Sequence, residues 1–232
     1  MGERPGIEHL FAERSETSDA LRVQILATEH WNLLMTRSMT WNEMFTRAGM
    51  YLTVVSAATV ALALMAQATD FDNTFRLFAL LVLPVVLFIG FVTHVRISDA
   101  RGEDVWFVIG MNRLRHGYLE IAPELAPYFV SSQFDDMAGV AQTYGAQGPP
   151  RPSRILASTP VFVGVINAIV AGVLIGLIVE ALGGSITLSV AIGILAGFVI
   201  IVMLAGVLPH SEISKLQREY RPMFPHNGPD GL

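Results

Sequence analysis

The chain of 232 residues contains no cysteine, a single lysine and few charged residues of either sign. Without cysteine, no disulfide, thiolate nucleophile, iron–sulfur cluster or zinc–thiolate site is possible. Only 15% of the residues are charged and 52% are hydrophobic, whereas about 25% are charged in an average soluble domain. This balance argues against an ordinary soluble protein and is typical of a membrane protein.

The sequence also lacks common signatures of catalysis and of nucleic-acid binding. It has no G-x-S-x-G, no glycine-rich phosphate loop and no S-x-x-K. The adjacent carboxylates Asp135 and Asp136 would point to different faces of a helix, so they predict no shared metal ion. No histidine pair has ligand spacing, and the arginines form no basic stripe. We therefore expect no enzymatic activity, cofactor, metal site or nucleic-acid partner.

Four runs without Asp, Glu, Lys or Arg contain 22, 19, 25 and 31 residues. A helix needs about 20 apolar residues to cross a bilayer core. The runs, joined in pairs by the short turns "QATDFDNT" and "LGGS", predict membrane-spanning helices at about 47–69, 75–96, 158–181 and 185–208. The expected fold class is all-α: a polytopic membrane protein with four transmembrane helices as two hairpins with long helical cytoplasmic extensions.

Helical periodicity extends beyond the first two spans. No Pro or Gly occurs from Ser15 to Ala48, and apolar residues recur there at steps of three and four, which predicts one helix over about 17 to 68. Pro84 is expected to kink the second span. Helical spacing then continues beyond that span and is expected to stop before Pro123.

These boundaries divide the chain into five segments. They are a cytoplasmic N-terminal helix (1–46), a first transmembrane hairpin (47–96), a cytoplasmic helical region with its linker (97–157), a second transmembrane hairpin (158–208) and a disordered cytoplasmic tail (209–232). Disorder is expected in the tail because "RPMFPHNGPDGL" is rich in Pro and Gly.

Positive charge is distributed unevenly around the spans. The segments 1–47, 96–157 and 209–232 hold 14 of the 15 Lys and Arg residues, and the two turns hold only Arg76. By the positive-inside bias, both termini are expected to be cytoplasmic. Fourteen arginines against one lysine are typical of a GC-rich bacterial genome, so a bacterial plasma (inner) membrane is expected. About 45 largely polar residues before the first span argue against a signal peptide.

Small and polar residues recur at steps of four and three from Ser38 into the first span. This spacing places them on one helix face. Two interpretations remain open for this stripe. Pore-lining helices present such side chains to water, but Ser, Thr and Gly are also enriched where membrane helices pack. The candidate pore-lining residues, which follow Ser38 in the stripe, are Asn42, Thr46, Gly49, Thr53 and Ser56.

Two other groups of residues are candidate sites. Asp70, Asp72 and Glu180 would form an outer acidic ring in a symmetric oligomer, which favours cations at a pore mouth; the alternative is ordinary solvated loop charges. The third and fourth spans each carry a G-x-x-x-G motif, which lets helix backbones approach closely in lipid. The predicted packing residues are Gly172, Gly176, Gly193 and Gly197.

Ionisable residues are missing from the middle of every predicted span, and Asn167 is the only amide there. Proton-coupled transporters usually bury an ionisable relay at that depth, because moving a proton needs groups that change charge. This absence argues against a proton pump or antiporter.

The segments "EHWNLLMTRSMTWNEMFTRAGM" (Glu29 to Met50) and "GMNRLRHGYLEIAPELAPYFV" (Gly110 to Val130) carry a resemblance to a known group. They resemble an uncharacterised family of bacterial four-span integral membrane proteins, which implies the topology and no activity. In outline the chain is also similar to the two-span pore-forming effectors of bacterial defence systems called SLATT proteins, although it has four spans and matches no motif residue by residue.

The expected function is a homo-oligomeric, channel-like membrane protein. In this hypothesis the first span lines a path that favours cations, and the cytoplasmic helices serve assembly or gating. The alternative is a non-transporting accessory or scaffold subunit that docks a cytoplasmic or membrane partner. The expected partners are the lipid bilayer, further copies of the chain and a protein on the cytoplasmic side.

Overall fold

The computed structural model describes residues 6–145, 158–206 and 220–226. Most of these residues are helical, and there is no strand among them. We number the α-helices α1 to α5: Gly6–Thr69, Asn73–Ile121, Met137–Thr143, Thr159–Ala181 and Ile186–Gly206. Four of the described helices, all except α3, are long and apolar enough to cross a membrane. The predicted linker around 146–157 and the tail residues 209–219 and 227–232 lie outside the described residues.

The continuous first helix is confirmed, because α1 runs without a break from Gly6 to Thr69 and so begins earlier than predicted. It contains no proline, and its glycines do not interrupt it. After Thr69, Asp70 and Phe71 take positive φ angles of 47° and 59°. The amide of Asp72 donates to the Thr69 carbonyl at 3.0 Å, which closes the turn.

The second helix also extends beyond its predicted span. α2 continues from Asn73 to Ile121 with Pro84 inside it, and it ends immediately before the proline-started 3₁₀ helix Pro123–Tyr128. Asp72 caps its first turn, because its carboxylate accepts hydrogen bonds from the amides of Thr74 and Phe75 at 2.7 and 3.1 Å. A proline lacks the amide that a helix interior needs, which explains the end of α2 at this point.

Two compact units divide the chain. Unit 1 contains 1–39, 103–148 and 220–232, and unit 2 contains 40–102 and 149–219. The helices α1 and α2 each contribute to both, whereas α3 belongs to unit 1 and α4 and α5 belong to unit 2.

In unit 1, leucines of α1 fit against glycines of α2. A Cβ atom added to Gly110 would lie 2.9 Å from Leu33 Cδ1, and one added to Gly117 would lie 3.3 Å from Leu26 Cδ1. The leucines and the glycines are each seven residues apart, two helical turns, and the pairs run in opposite chain directions. The two helix segments are therefore antiparallel, and the missing side chains let them pack closely.

Unit 2 contains a hydrophobic core built from α1, α2 and α4. The buried residues that α1 contributes are Met44, Ala48 and Tyr51, at steps of four and three. This spacing places them on one face of α1. Val163, Val170 and Leu174 bring α4 into the same core.

Candidate functional site

The stripe on α1 is exposed along its whole length in unit 2. Each of the five candidate residues is solvent-accessible: Asn42, Thr46, Gly49, Thr53 and Ser56. Each lies two residues before a residue that packs into the core of unit 2. Two residues correspond to a rotation of about 200° around the helix axis. Apart from the nearby backbone of α1 itself, no described atom lies within 4 Å of a Cβ added to Gly49. The stripe therefore faces away from the core of unit 2.

The hydroxyl group of Thr53 is bound within α1. It donates to the Gly49 carbonyl at 3.0 Å, and Thr59 makes the same bond to the Val55 carbonyl at 2.8 Å. Such bonds satisfy a hydroxyl without any partner from another helix. Thr53 can therefore face lipid, water or a second protein surface without leaving its donor unpaired.

The three carboxylates of the predicted acidic ring have different environments. Asp72 caps α2, and these hydrogen bonds keep the pKa of its carboxyl group below its ordinary value. Glu180 pairs with Arg76 at 2.8 Å, with about one third of each side chain exposed. Asp70 is exposed in the turn after α1. Two of the three therefore have local structural partners within unit 2.

The four glycines of the G-x-x-x-G motifs lie where α4 and α5 meet. A Cβ added to Gly172 would lie 2.7 Å from the Gly193 carbonyl oxygen, and one added to Gly193 would lie 2.6 Å from that of Gly172. Gly176 faces the Ser189 carbonyl at 3.2 Å in the same way. These glycines also line an apolar groove of about 610 Å³ that reaches Glu180.

A buried hydrogen bond links α1 to α4 in the interior of unit 2. Tyr51, which is fully buried, donates its hydroxyl hydrogen to Asn167 Oδ1 at 2.9 Å. Gly90 of α2 leaves the space for this pair, since an added Cβ would lie 2.6 Å from Tyr51 Cζ and would also overlap the Asn167 amide oxygen. Three helices therefore converge on one polar contact.

His94 lies one turn after Gly90 on α2 and is 2% exposed. Its Nδ1 atom lies 3.1 Å from the Pro160 carbonyl oxygen, and because a carbonyl only accepts, Nδ1 carries the hydrogen in this contact. Among the described residues, neither His94 Nε2 nor Asn167 Nδ2 has a hydrogen-bond partner. No pattern in the sequence around His94 predicts that this histidine is buried.

In unit 1, Asp104 joins α1 and α2. Its carboxylate is 4% exposed and accepts hydrogen bonds from Arg37 Nε at 2.6 Å and from Arg37 Nη2 at 3.3 Å. The Tyr144 hydroxyl donates to the same carboxylate. A nearly buried carboxylate held by a two-pronged guanidinium contact fixes both the distance and the register of the two helices.

Asp135 binds the described residues 220–226, which we call the returning segment. Its side chain is fully buried and pairs with Arg113 at 2.7 Å. It also accepts hydrogen bonds from the Tyr220 hydroxyl and from the amides of Met223 and Phe224 at 2.7, 3.0 and 2.9 Å. The structure therefore differs from the expected disordered tail at these residues, because a buried carboxylate needs the donors that this segment supplies.

Acid is expected to release the returning segment. Burial alone would raise the pKa of Asp135, but hydrogen bonds from Tyr220, Arg113 and two amides lower it below its ordinary value. Because the pKa of Asp135 is lower in the folded state than in the unfolded state, its ionised carboxylate stabilises the fold above about pH 4. This stabilisation is lost as the pH falls through the folded-state pKa. Hydrogen exchange at the Met223 and Phe224 amides should rise there, and Asp135→Asn should remove the transition.

Alkali should act on Tyr220 with the opposite sign. Burial and its bond to Asp135 raise the pKa of Tyr220 to about 12. Its contribution to stability is therefore complete below about pH 10 and is lost as the pH rises toward 12. The fluorescence of Trp106, whose ring centre lies 5.3 Å from that of Tyr220, should report this step. A Tyr220→Phe chain that kept the step would contradict this assignment.

No protein-family model, no curated protein and no solved structure matches this chain.

Proposed function

We propose that the protein is a homo-oligomeric, channel-like integral membrane protein of a bacterial plasma membrane, with both termini in the cytoplasm. In this proposal α1–α2 and α4–α5 cross the bilayer as two hairpins, and unit 1 lies on the cytoplasmic side. The arginine distribution supports this orientation, and the lengths of the four apolar helices support insertion.

The observation that carries the proposal is the exposed polar stripe of α1. In unit 2, α1 packs its apolar face inward and leaves Asn42, Thr46 and Thr53 uncovered. Asn42 and Thr46 lie just before the predicted span 47–69, where water or a protein partner can meet them, and Thr53 continues the same exposed face into the span. Because the interior of unit 2 is filled by side chains such as Tyr51 and Val163, a path would form between copies of α1, with the stripe toward their common axis.

The carboxylates at the end of α1 supply the charge preference of the proposed path. Asp70 follows the last residue of α1 directly, and Asp72 lies two residues further along the chain. Repeated around a symmetry axis, they would form rings of negative charge, which favour cations. Arg76 offsets the charge of Glu180, so the two aspartates carry this part of the proposal.

Leucine in the stripe should reduce ion flux. In proteoliposomes, Thr53→Leu with Ser56→Leu should lower conductance at least about tenfold, because larger apolar side chains narrow and dewet a pore. The matched control is Thr59→Leu, which lies about 100° away from the centre of the stripe on the same helix. Conductance that survives the double substitution would refute the assignment of the path to α1.

A second candidate function is a scaffold that docks another protein. It is favoured by large apolar side chains that unit 1 leaves exposed on α1: Leu21, Ile25, Trp31, Met35 and Met39. Exposed apolar residues of this size are typical of interaction surfaces. Native mass measurement after gentle extraction separates the two functions, since a channel should be a closed ring of one chain and a scaffold should carry a stoichiometric partner.

A further inference from the structure

Two adjacent carboxylates bind the main chain of the returning segment. Met223 and Phe224 donate their amides to Asp135, and His226 donates its amide to Asp136 at 2.8 Å. The other residues between Arg221 and His226 are prolines, which have no amide hydrogen. The carboxylates therefore match every amide donor in this stretch. In return, the Asp135 amide donates to the Phe224 carbonyl at 3.2 Å.

Aromatic rings of unit 1 receive the side chains of the segment. The ring pairs, with centres 5.3, 4.0 and 4.0 Å apart, are Tyr220 with Trp106, Phe224 with His116 and His226 with Phe134. Ring contacts at such distances add stability beyond the area they bury. The segment is thus bound through its backbone and through alternate side chains, as extended peptides are bound by recognition domains.

The loop that carries the carboxylates is held by bonds that do not involve the segment. Asn112 donates to the Phe134 carbonyl at 2.8 Å, and Ser132 Oγ accepts from the Phe134 amide at 3.1 Å. Asp136 also caps α3 by accepting the Gly139 amide at 2.7 Å. Because none of these contacts involves residues 220–226, they favour a binding surface that is formed in advance of the segment.

We propose that unit 1 carries a peptide-binding site and that the returning segment is its displaceable occupant. The peptide that fits is extended and proline-containing, with a tyrosine, a phenylalanine four residues later, and free amides at the phenylalanine and at the residue before it. Prolines favour the extended backbone in advance, which lowers the entropy cost of binding. Another peptide with this pattern competes with the segment.

The first experiment measures displacement in the full-length protein. Because the chain has no cysteine, Met223→Cys and Leu125→Cys give a unique spin-label pair, at side chains that are 66% and 42% exposed. A synthetic peptide of residues 218–228, added at millimolar concentration to match a tethered segment, should change the distance between the labels from the single value of the bound segment to a broad distribution. A peptide with Met223→Ala should act equally, and one with Tyr220→Phe and Phe224→Ala should not act.

The second experiment measures affinity in a full-length chain with Tyr220→Ala, whose own segment is weakened. A fluorescent 218–228 peptide should bind this chain, and Asp135→Asn should weaken binding at least about tenfold, because a charged acceptor of several donors is lost. Circular dichroism checks that each variant is folded. If excess peptide leaves the label distance unchanged, or if the folded Tyr220→Ala chain binds no peptide, the segment is a permanent part of the fold and the proposal is wrong.

Discussion

Replacement of Gly90 by leucine is expected to prevent unit 2 from folding, and replacement by alanine to destabilise it by about 3 kcal/mol, the upper part of the range for overpacking. The first added carbon would lie 2.6 Å from Tyr51 Cζ and would overlap Asn167 Oδ1. Both neighbours are almost fully buried, so neither can move into solvent. Relief requires either that α2 separates from α1 and α4, or that the hydrogen bond between Tyr51 and Asn167 breaks so that these side chains can move apart.

Thermal unfolding in detergent, followed by helical circular dichroism, measures this effect. The matched control is Gly102→Ala on the same helix, since a Cβ added there meets nothing within 4 Å. Its stability should be unchanged or higher by up to about 1 kcal/mol, because alanine favours a helix over glycine. Equal melting temperatures for the two alanine variants would contradict the packing described for Gly90.

Replacement of Asp104 by alanine should destabilise unit 1 by about 3 kcal/mol, the cost of removing one partner of a buried ion pair. Arg37, with 25% of its side chain exposed, would lose the carboxylate that binds two of its nitrogens, and the Tyr144 hydroxyl would lose its acceptor. Hydrogen exchange in α1 before Met39 and in α2 after Glu103 should increase. Such an effect should depend little on salt, because the carboxylate is shielded from solvent.

The control for Asp104 is Asp19→Ala, which removes an ion pair with Arg22 whose side chains are 49% and 56% exposed. Exposed pairs of this kind contribute less than about 0.5 kcal/mol. A similar loss of stability in both variants would show that Asp104 does not link α1 to α2 as described.

Local patterns in the sequence were sufficient to predict the long helices of the chain. Long uncharged runs predicted four helices, and the absence of Pro and Gly over Ser15 to Ala48 predicted the unbroken course of α1. The Glu43–Arg47 ion pair, 2.8 Å long, follows from the same regularity, because residues four apart lie on one helix face. Spans, periodicity and pairs within one helix are properties of neighbouring residues.

Contacts between distant residues were beyond this kind of prediction. Asp104 and Asp135 looked like ordinary polar residues of a solvated region, yet each is buried and bound by an arginine, 67 residues distant for Asp104 and 22 for Asp135. Tyr51 and Asn167, which share a hydrogen bond, are 116 residues apart. Nothing in the residues that flank these positions distinguishes them from exposed ones.

By itself, therefore, the sequence determined an all-helical chain with four membrane-length helices and a polar stripe on the first, because composition and helical period act through neighbouring residues. Only the tertiary structure decided that the stripe faces outward, that His94 is buried, and that residues 220–226 return to Asp135. These features depend on which distant groups satisfy a buried donor or acceptor, and that pairing exists only after the helices pack.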